Sequence, residues 1–185
     1  NIFGLQSVLN KKYSSSGADY GIQFGAGLRT DQVKDIELSH TLNRSTTLEQ
    51  IQFGDVNEIN AYAFLNAEID MGKLLINPAI RLDYFNFKYI DHLNGSFIAH
   101  TGKATLSPKL NFLYNQSKDL QFFLKMGKGF HSNDSRVVIA QTTQQILPAA
   151  YGADLGVNWK AAPRLILNAA LWYLYLQQEF VYVGD

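Results

Sequence analysis

The sequence predicts an all-β protein, specifically an antiparallel transmembrane β-barrel segment of about eight strands. Three observations predict this fold class. Apolar and polar residues alternate with a period of two along nearly the whole chain of 185 residues. Each alternating segment is roughly ten residues long, as in tilted strands that cross a bilayer, whereas strands of soluble proteins are nearer five or six residues. The connections alternate between short and long, as in outer-membrane barrels.

The alternation gives each predicted strand an apolar and a polar face. In DYGIQFGAGLR, Tyr20, Phe24 and Leu28 share one face, and Gln23 and Arg29 lie on the other. The same pattern recurs at residues 57–71, 75–85, 105–115, 122–131 and 151–160. The first and last predicted strands, within residues 5–10 and 165–183, have mixed faces. The chain is therefore expected to form one sheet with two chemically different sides.

The predicted connections divide into two kinds. Short turns fall near Lys12–Ala18, Asp70–Lys73, Asn115–Asp119 and Lys160–Arg164. Long polar loops fall near Thr30–Asn57, Asp91–Lys103 and His131–Ala150. Because outer-membrane barrels have short periplasmic turns and long extracellular loops, this asymmetry predicts which end of each strand faces the exterior.

Alternation alone is compatible with two environments. A membrane barrel would place Phe122, Leu124 and Met126 against lipid, with Lys128 near the outer interface. A soluble β-sandwich gives the same alternation with the sides exchanged, because its apolar residues face a dry interior. Strand length, turn asymmetry and aromatic placement favour the membrane. The aromatics at apolar-face strand ends are Tyr20, Tyr114, Phe122 and Trp159 by short turns, and Tyr84, Phe130 and Tyr151 by long loops.

Composition excludes several classes of protein. Sixteen basic residues balance sixteen acidic ones, which argues against a nucleic-acid partner, since such binders are usually basic. The absence of cysteine excludes disulfides and thiolate metal sites. No apolar run approaches 18 residues, so a membrane-spanning helix is not predicted.

Charged residues of the polar face and its loops are the candidate ligand or lumen contacts. They are Arg29, Arg81, Asp83, Lys125, His131 and Arg136. Near the turn Met71–Lys73, the residues Glu68, Asp70, Arg81 and Asp83 are expected to form a charge network that wets and stiffens the wall. Polar side chains that face a wet lumen need no partner, unlike those in a dry core.

No catalytic, cofactor or metal site is predicted. His131 and Ser132 are adjacent on a predicted strand, so they point to opposite faces and are poorly placed to share a proton. The four histidines lack the tight spacing of metal ligands and are expected to be solvated. They are His40, His92, His100 and His131.

Three segments near the end of the chain carry a family resemblance. The succession KGFHSNDSRVV, LPAAYGADLGVNWK and LILNAALWYLYLQQEFVYVGD resembles the barrel of TonB-dependent outer-membrane receptors. There, a strand ending in G-x-G-F precedes an extracellular loop, a P-E-x-x-x-x-x-E-L-G strand and an aromatic-rich strand. Asp154 matches the acidic residue before Leu-Gly, whereas Ala149 replaces the one after the proline. The block GAGLRTD…DVNEINAYAFLNAEID is also similar to this family.

The resemblance implies an energised importer integral to the bacterial outer membrane, without enzymatic activity. Because family barrels have 22 strands, residues 1–185 are expected to be part of a single β-barrel domain that lacks the N-terminal plug. The implied partners are the TonB complex through that missing plug region, outer-membrane lipid and lipopolysaccharide, and a small solute of the siderophore-iron, cobalamin or glycan class. The alternative is a small complete eight-stranded outer-membrane barrel with a structural, adhesive or hydrolase role.

Overall fold

The structure is a computed structural model that describes residues 1–95, 97–131 and 146–178. It contains one antiparallel sheet of eight strands, in which each strand pairs with the next along the chain. The strands are β1 (Ile2–Ser15), β2 (Ala18–Leu42), β3 (Thr46–Asp70), β4 (Leu74–Asp91), β5 (Phe97–Asn115), β6 (Leu120–Phe130), β7 (Ala149–Ala162) and β8 (Leu165–Leu176). No helix in the described ranges is long and apolar enough to span a membrane. The predicted all-β antiparallel class is confirmed.

The sheet is open, with β1 and β8 at its two edges. In the described part of the chain these two strands do not pair with each other. A complete eight-stranded barrel would require that pairing, because closure removes both edges. The eight strands therefore form a wall rather than a closed barrel.

The register between strands places the apolar residues of neighbouring strands on the same face of the sheet. Phe24 pairs with Leu65, which in turn pairs with Ile80, and paired residues project from the same face. We call the face that carries these residues the apolar face. The opposite face carries Arg81 and Asp83, and we call it the polar face.

The apolar face is the one turned toward the surroundings. Phe24 and Leu65 are 48% and 47% exposed, whereas Asp83 on the polar face is 0% exposed. A soluble β-sandwich would show the reverse, with the apolar side chains gathered between two sheets. Exposed apolar surface this extensive marks contact with lipid or with another protein.

A small apolar core lies on the polar face, at the end of β4 near Asp91. The rings of Phe85 and Phe87 stack with their centroids 5.5 Å apart. Ile146 and Leu147, which precede β7, pack against them and are buried. The segment before β7 therefore folds back onto the sheet and covers part of the polar face.

Phe130 does not lie where the alternation predicts. Its ring meets Phe85 edge-on at 5.5 Å, so it belongs to the apolar core on the polar face. The pairing between β5 and β6 ends at Lys109 and Gly127. Among the described residues, the last residues of β6 therefore pair with β7 alone. A strand bonded on one side constrains the direction of the Phe130 side chain less than a strand bonded on both sides.

The four predicted short turns are confirmed as tight connections. Ser16 and Gly17 both have positive φ values, of 53° and 78°, as a two-residue type I′ hairpin turn requires. In the turn after β3, Gly72 has a φ of 80°. The backbone N–H of Gly72 donates a hydrogen bond of 2.8 Å to the Asp70 carboxylate.

The long loop predicted at Thr30–Asn57 is wrong, because these residues form a β-hairpin. β2 continues to Leu42 and β3 begins at Thr46, so the hairpin extends roughly 40 Å beyond Thr30 at about 3.3 Å per residue. The register shifts between Val33 and Ile36 and at two further points. Each such bulge inverts the parity of the following residues, which hides the alternation in the sequence.

The other two predicted long loops are shorter than expected. β4 continues to Asp91 and β5 begins at Phe97, so most of the predicted loop Asp91–Lys103 is strand. The third predicted loop, His131–Ala150, ends two residues early, since β7 begins at Ala149. Its central part, 132–145, lies outside the described residues.

We expect Phe24→Arg to destabilise the protein much more than Gln23→Arg. The two neighbouring residues occupy the same level of β2 on opposite faces. An arginine that faces lipid near the bilayer midplane costs about 2–4 kcal/mol, whereas one on a wet polar face remains hydrated. The free energy of unfolding in urea, measured on the full-length protein in lipid vesicles, gives both values. Equal destabilisation by the two substitutions would contradict the assignment of the faces.

Candidate functional site on the polar face

A buried carboxylate occupies the centre of the polar face. Asp83 accepts two hydrogen bonds from Arg81, each 2.8 Å long, and a third of 3.2 Å from the side-chain amide of Asn60. These hydrogen bonds replace those that the carboxylate would form with water if it were exposed. Of the predicted charge network, Arg81 and Asp83 are thus paired directly.

Tyr62 forms a platform beneath the guanidinium of Arg81. The Arg81 Cζ atom lies 3.9 Å from the centroid of the Tyr62 ring, in cation–π geometry. The ring has room because Gly27 faces it on β2, where a Cβ would stand only 2.5 Å from the ring. The glycine therefore allows the aromatic side chain to lie flat on the wall.

A second arginine–aspartate pair with the same spacing lies on β2. Arg29 donates two hydrogen bonds to Asp31, of 2.7 and 3.1 Å. Here the arginine side chain is 58% exposed and the aspartate 21%, against 40% and 0% for Arg81 and Asp83. Arg29 and Arg81 line a common groove together with Asn60 and Tyr62.

The third charged group is a lysine groove, which we define by Lys109, Asn111, Lys125 and Asp154 on β5, β6 and β7. Both lysines are exposed, and within the described residues neither forms an ion pair. The Lys125 ammonium lies 4.9 Å from the centroid of the Phe123 ring.

Glycines leave open space beside the lysine groove. Gly127 pairs with Lys109 on one side and with Gly152 on the other. A Cβ on Gly152 would have its nearest contact at 3.9 Å, and a Cβ on Gly129 would meet no atom within 4 Å. The bare backbone therefore forms a notch rather than a site of close packing.

The remaining candidate residues are dispersed. The backbone N–H of His131 bonds to the carbonyl of Pro148 at 3.4 Å, at the end of β6. The Asp70 carboxylate accepts a hydrogen bond from the backbone of Gly72 in the turn and does not join the Arg81–Asp83 pair. Arg136 lies outside the described residues. The structure thus groups Arg29 with Arg81 and Asp83, and places Lys125 in a separate groove.

Sequence reasoning missed an amide ladder across the polar face. Asn77 donates to Asn66 at 2.8 Å and accepts from Asn111 at 3.1 Å. Gln121 continues the pattern, donating to Asn115 at 2.8 Å. The ladder can be found only when the register between neighbouring strands is known. The sequence of a single strand does not contain that register.

A mixed cluster within β2 and β3, beside the end of β4, was also missed. His92, which was expected to be solvated, places its Nε2 atom 3.3 Å from Asp55 Oδ1. Asp35 completes the cluster, and its backbone N–H donates to Asp55 at 3.0 Å. This hydrogen bond is the largest cause that holds the pKa of Asp55 below its ordinary value.

The turn after β4 is organised by Asp91. Its carboxylate accepts from the side-chain amide of Asn94 at 2.7 Å and from the backbone N–H of Leu93 at 2.9 Å. The Asn94 side chain is the main cause of a pKa for Asp91 below its usual value. The turn is thus fixed by an ionised carboxylate.

Sequence comparison identifies the family. Residues 1–185 match the family described as "TonB dependent receptor-like, beta-barrel". The chain belongs to this family. No curated protein sequence matches it significantly.

Solved receptors share the fold of the chain at low sequence identity. The ferric citrate transporter FecA in its unliganded form has a TM-score of 0.82 and 13% identity, over 95% of this chain and 27% of that one. The siderophore receptor PiuA from Acinetobacter baumannii has a TM-score of 0.66 and 12% identity, over 92% and 31%. The ferric-catecholate import receptor Fiu from E. coli K12, in its closed form, has a TM-score of 0.64 and 13% identity, over 94% and 31%. The chain spans less than a third of each of these proteins.

Membership of the TonB-dependent receptor family gives the two faces their environments. In an outer-membrane barrel, the apolar face contacts lipid and the polar face lines the lumen. The predicted location, integral to the outer membrane, and the predicted partial receptor barrel are confirmed. The family is one of transport receptors and not of enzymes.

We expect Arg81→Ala to destabilise this TonB-dependent receptor barrel by about 3 kcal/mol, because it leaves the buried Asp83 carboxylate without its partner. The matched substitution Arg29→Ala is expected to destabilise the barrel much less, because the Arg29 side chain is 58% exposed and already hydrated. Denaturant unfolding of the full-length protein compares the two. If both substitutions cost the same, the burial of Asp83 has no energetic consequence.

Proposed function

We propose that the chain is the wall of a receptor that imports a scarce solute across the outer membrane with energy delivered by TonB. The observation that carries the proposal is the match to the receptor-barrel family along the whole chain. The solved neighbours are described as a ferric citrate transporter, a siderophore receptor and a ferric-catecholate import receptor. These descriptions support a ferric chelate over the cobalamin and glycan classes.

The charges of the polar face support an anionic ligand. Lys109 and Lys125 are exposed lumen cations without an ion-pair partner among the described residues, and the glycine notch beside them leaves space for a bulky group. Arg81 is already committed to Asp83 by two hydrogen bonds. The lysines are therefore better placed than Arg81 to attract a carboxylate- or catecholate-bearing chelate.

A buried hydroxyl group also suggests where a water molecule could bind on the wall. Ser107 pairs with Arg81 across β4 and β5, and its hydroxyl is buried without a hydrogen-bond partner among the described residues. A buried unsatisfied hydroxyl is costly, so a water molecule or a ligand oxygen beside Arg81 would stabilise it. Lys125 is the predicted contact that the lysine groove supports best, and Arg29, Arg81, His131 and Arg136 stay proposed ligand or lumen contacts. Asp83, also predicted as a contact, is fully buried and would act through its partner Arg81.

The mechanism is gating, without covalent chemistry. In the proposed receptor, a plug outside residues 1–185 fills the lumen, contacts the TonB complex and moves when TonB pulls on it. The amide ladder and the charged pairs form the hydrophilic wall along which the solute passes. The apolar face contacts membrane lipid and lipopolysaccharide.

Uptake by the full-length protein tests this function directly. We expect cells that express it to accumulate a ⁵⁵Fe-labelled chelate, ferric citrate or a ferric catecholate, only when TonB is present. The control is an isogenic strain without TonB and with equal surface expression. Uptake that is identical in the two strains would contradict an energised importer.

Two substitutions test the lysine groove as the capture site. We expect Lys125→Ala to weaken binding of an anionic chelate to the purified receptor about fivefold to tenfold, equivalent to about 1–1.4 kcal/mol. Gly152→Val fills the notch, with its Cβ 3.9 Å from the nearest atom, and is expected to weaken binding to a similar extent. Lys160→Ala on β7, near the short turn, is the matched control and leaves affinity unchanged. Equal effects of Lys125→Ala and Lys160→Ala would show that only overall charge matters.

A further inference from the structure

We propose that Asp35, Asp55 and His92 form a binding site for a divalent transition-metal ion, with Zn²⁺ as its simplest occupant. The three residues come from β2, β3 and the turn after β4. The site is separate from the lumen groups described above and does not depend on the proposed import function.

The ligand atoms converge at a suitable distance. One carboxylate oxygen from each aspartate and one imidazole nitrogen lie within 4.8 Å of one another. The His92 Nε2 atom and Asp55 Oδ1 are 3.3 Å apart. Two ligands in tetrahedral zinc coordination, each at about 2.0–2.1 Å from the metal, are separated by about 3.4 Å. The carboxylate of Asp35, which is exposed, lies within 4.8 Å of the other two ligand atoms.

The fold holds each ligand in position by a separate contact. Asp35 lies in the bulge where the β2–β3 register shifts, with a φ of 55°. Its backbone N–H donates to Asp55, which fixes the orientation of that carboxylate. The backbone N–H of His92 bonds to the carbonyl of Phe53 at 2.9 Å, and its ring lies 5.4 Å from the Phe53 ring. The imidazole is therefore anchored at its backbone and supported on one side.

Charge favours a cation over a simple ion pair. A protonated His92 would balance one carboxylate but leave the second within 4.8 Å of the first. A divalent ion neutralises both carboxylates, and the imidazole–carboxylate ligand set suits zinc and its first-row neighbours.

The bound ion would link β2, β3 and the turn after β4. The hairpin pairs only with β1 and β4, and its pairing with β4 ends at Gly54 and Asp91. At this level the metal would add a second cross-link to the backbone hydrogen bond between His92 and Phe53. We therefore expect metal binding to reduce motion of the hairpin.

Zn²⁺ binding to the full-length receptor tests the site. The detergent-purified protein is treated with EDTA, dialysed and titrated with Zn²⁺ by isothermal calorimetry. We expect one saturable site, with affinity reduced at least tenfold by His92→Gln and by Asp35→Asn. Asparagine tolerates the positive φ of position 35, so this variant keeps the bulge. His40→Gln, in the same hairpin, is the control and leaves the affinity unchanged.

X-ray absorption at the zinc edge provides the second measurement. We expect one imidazole and oxygen ligands at about 2.0–2.1 Å, with the imidazole signal lost in His92→Gln and kept in His40→Gln. An absence of saturable binding, an unaltered affinity in both His92→Gln and Asp35→Asn, or an imidazole signal that His40→Gln removes would overturn the proposal.

Discussion

The structure depends on the continuous backbone pairing that links every strand to the next. A chain that crosses lipid has no water to satisfy its N–H and C=O groups, so each strand must bond to neighbours on both sides. That same pairing transmits side-chain parity, because paired residues point to the same face. From Phe24 through Leu65 to Ile80, a residue's face on one strand fixes the face of its partner on the next. The separation of lipid from lumen follows from this register.

Within the lumen wall, the environments of similar groups differ sharply. Arg81–Asp83 and Arg29–Asp31 have the same sequence spacing, yet only the first contains a fully buried carboxylate. The first pair also has two neighbours on β3, because Asn60 donates to Asp83 and the Tyr62 ring lies against Arg81. A short sequence motif therefore does not define the energetic role of a pair in this wall.

Glycine has two different functions on the polar face. At Gly27 the missing side chain leaves room for the Tyr62 ring, which occupies the place where a Cβ of residue 27 would be. At Gly129 and Gly152 no side chain of the described residues fills the space, so this part of the wall has an open notch beside the lysine groove. The first arrangement makes the wall compact, and the second leaves it accessible to solute. The same residue type thus supports both the stability of the barrel and its proposed transport role.

The sequence by itself determined the strands, the short turns, the two faces and the membrane environment, because period two and tight-turn chemistry are local properties. It failed at the β2–β3 hairpin, where bulges invert the parity, and at Phe130, where strand pairing is one-sided. Only the tertiary structure decided which charged residues meet. Asp35, Asp55 and His92 come together because strand register joins residues as much as 57 positions apart. The partner of each side chain is set by neighbouring strands, and no pattern within one strand contains that information.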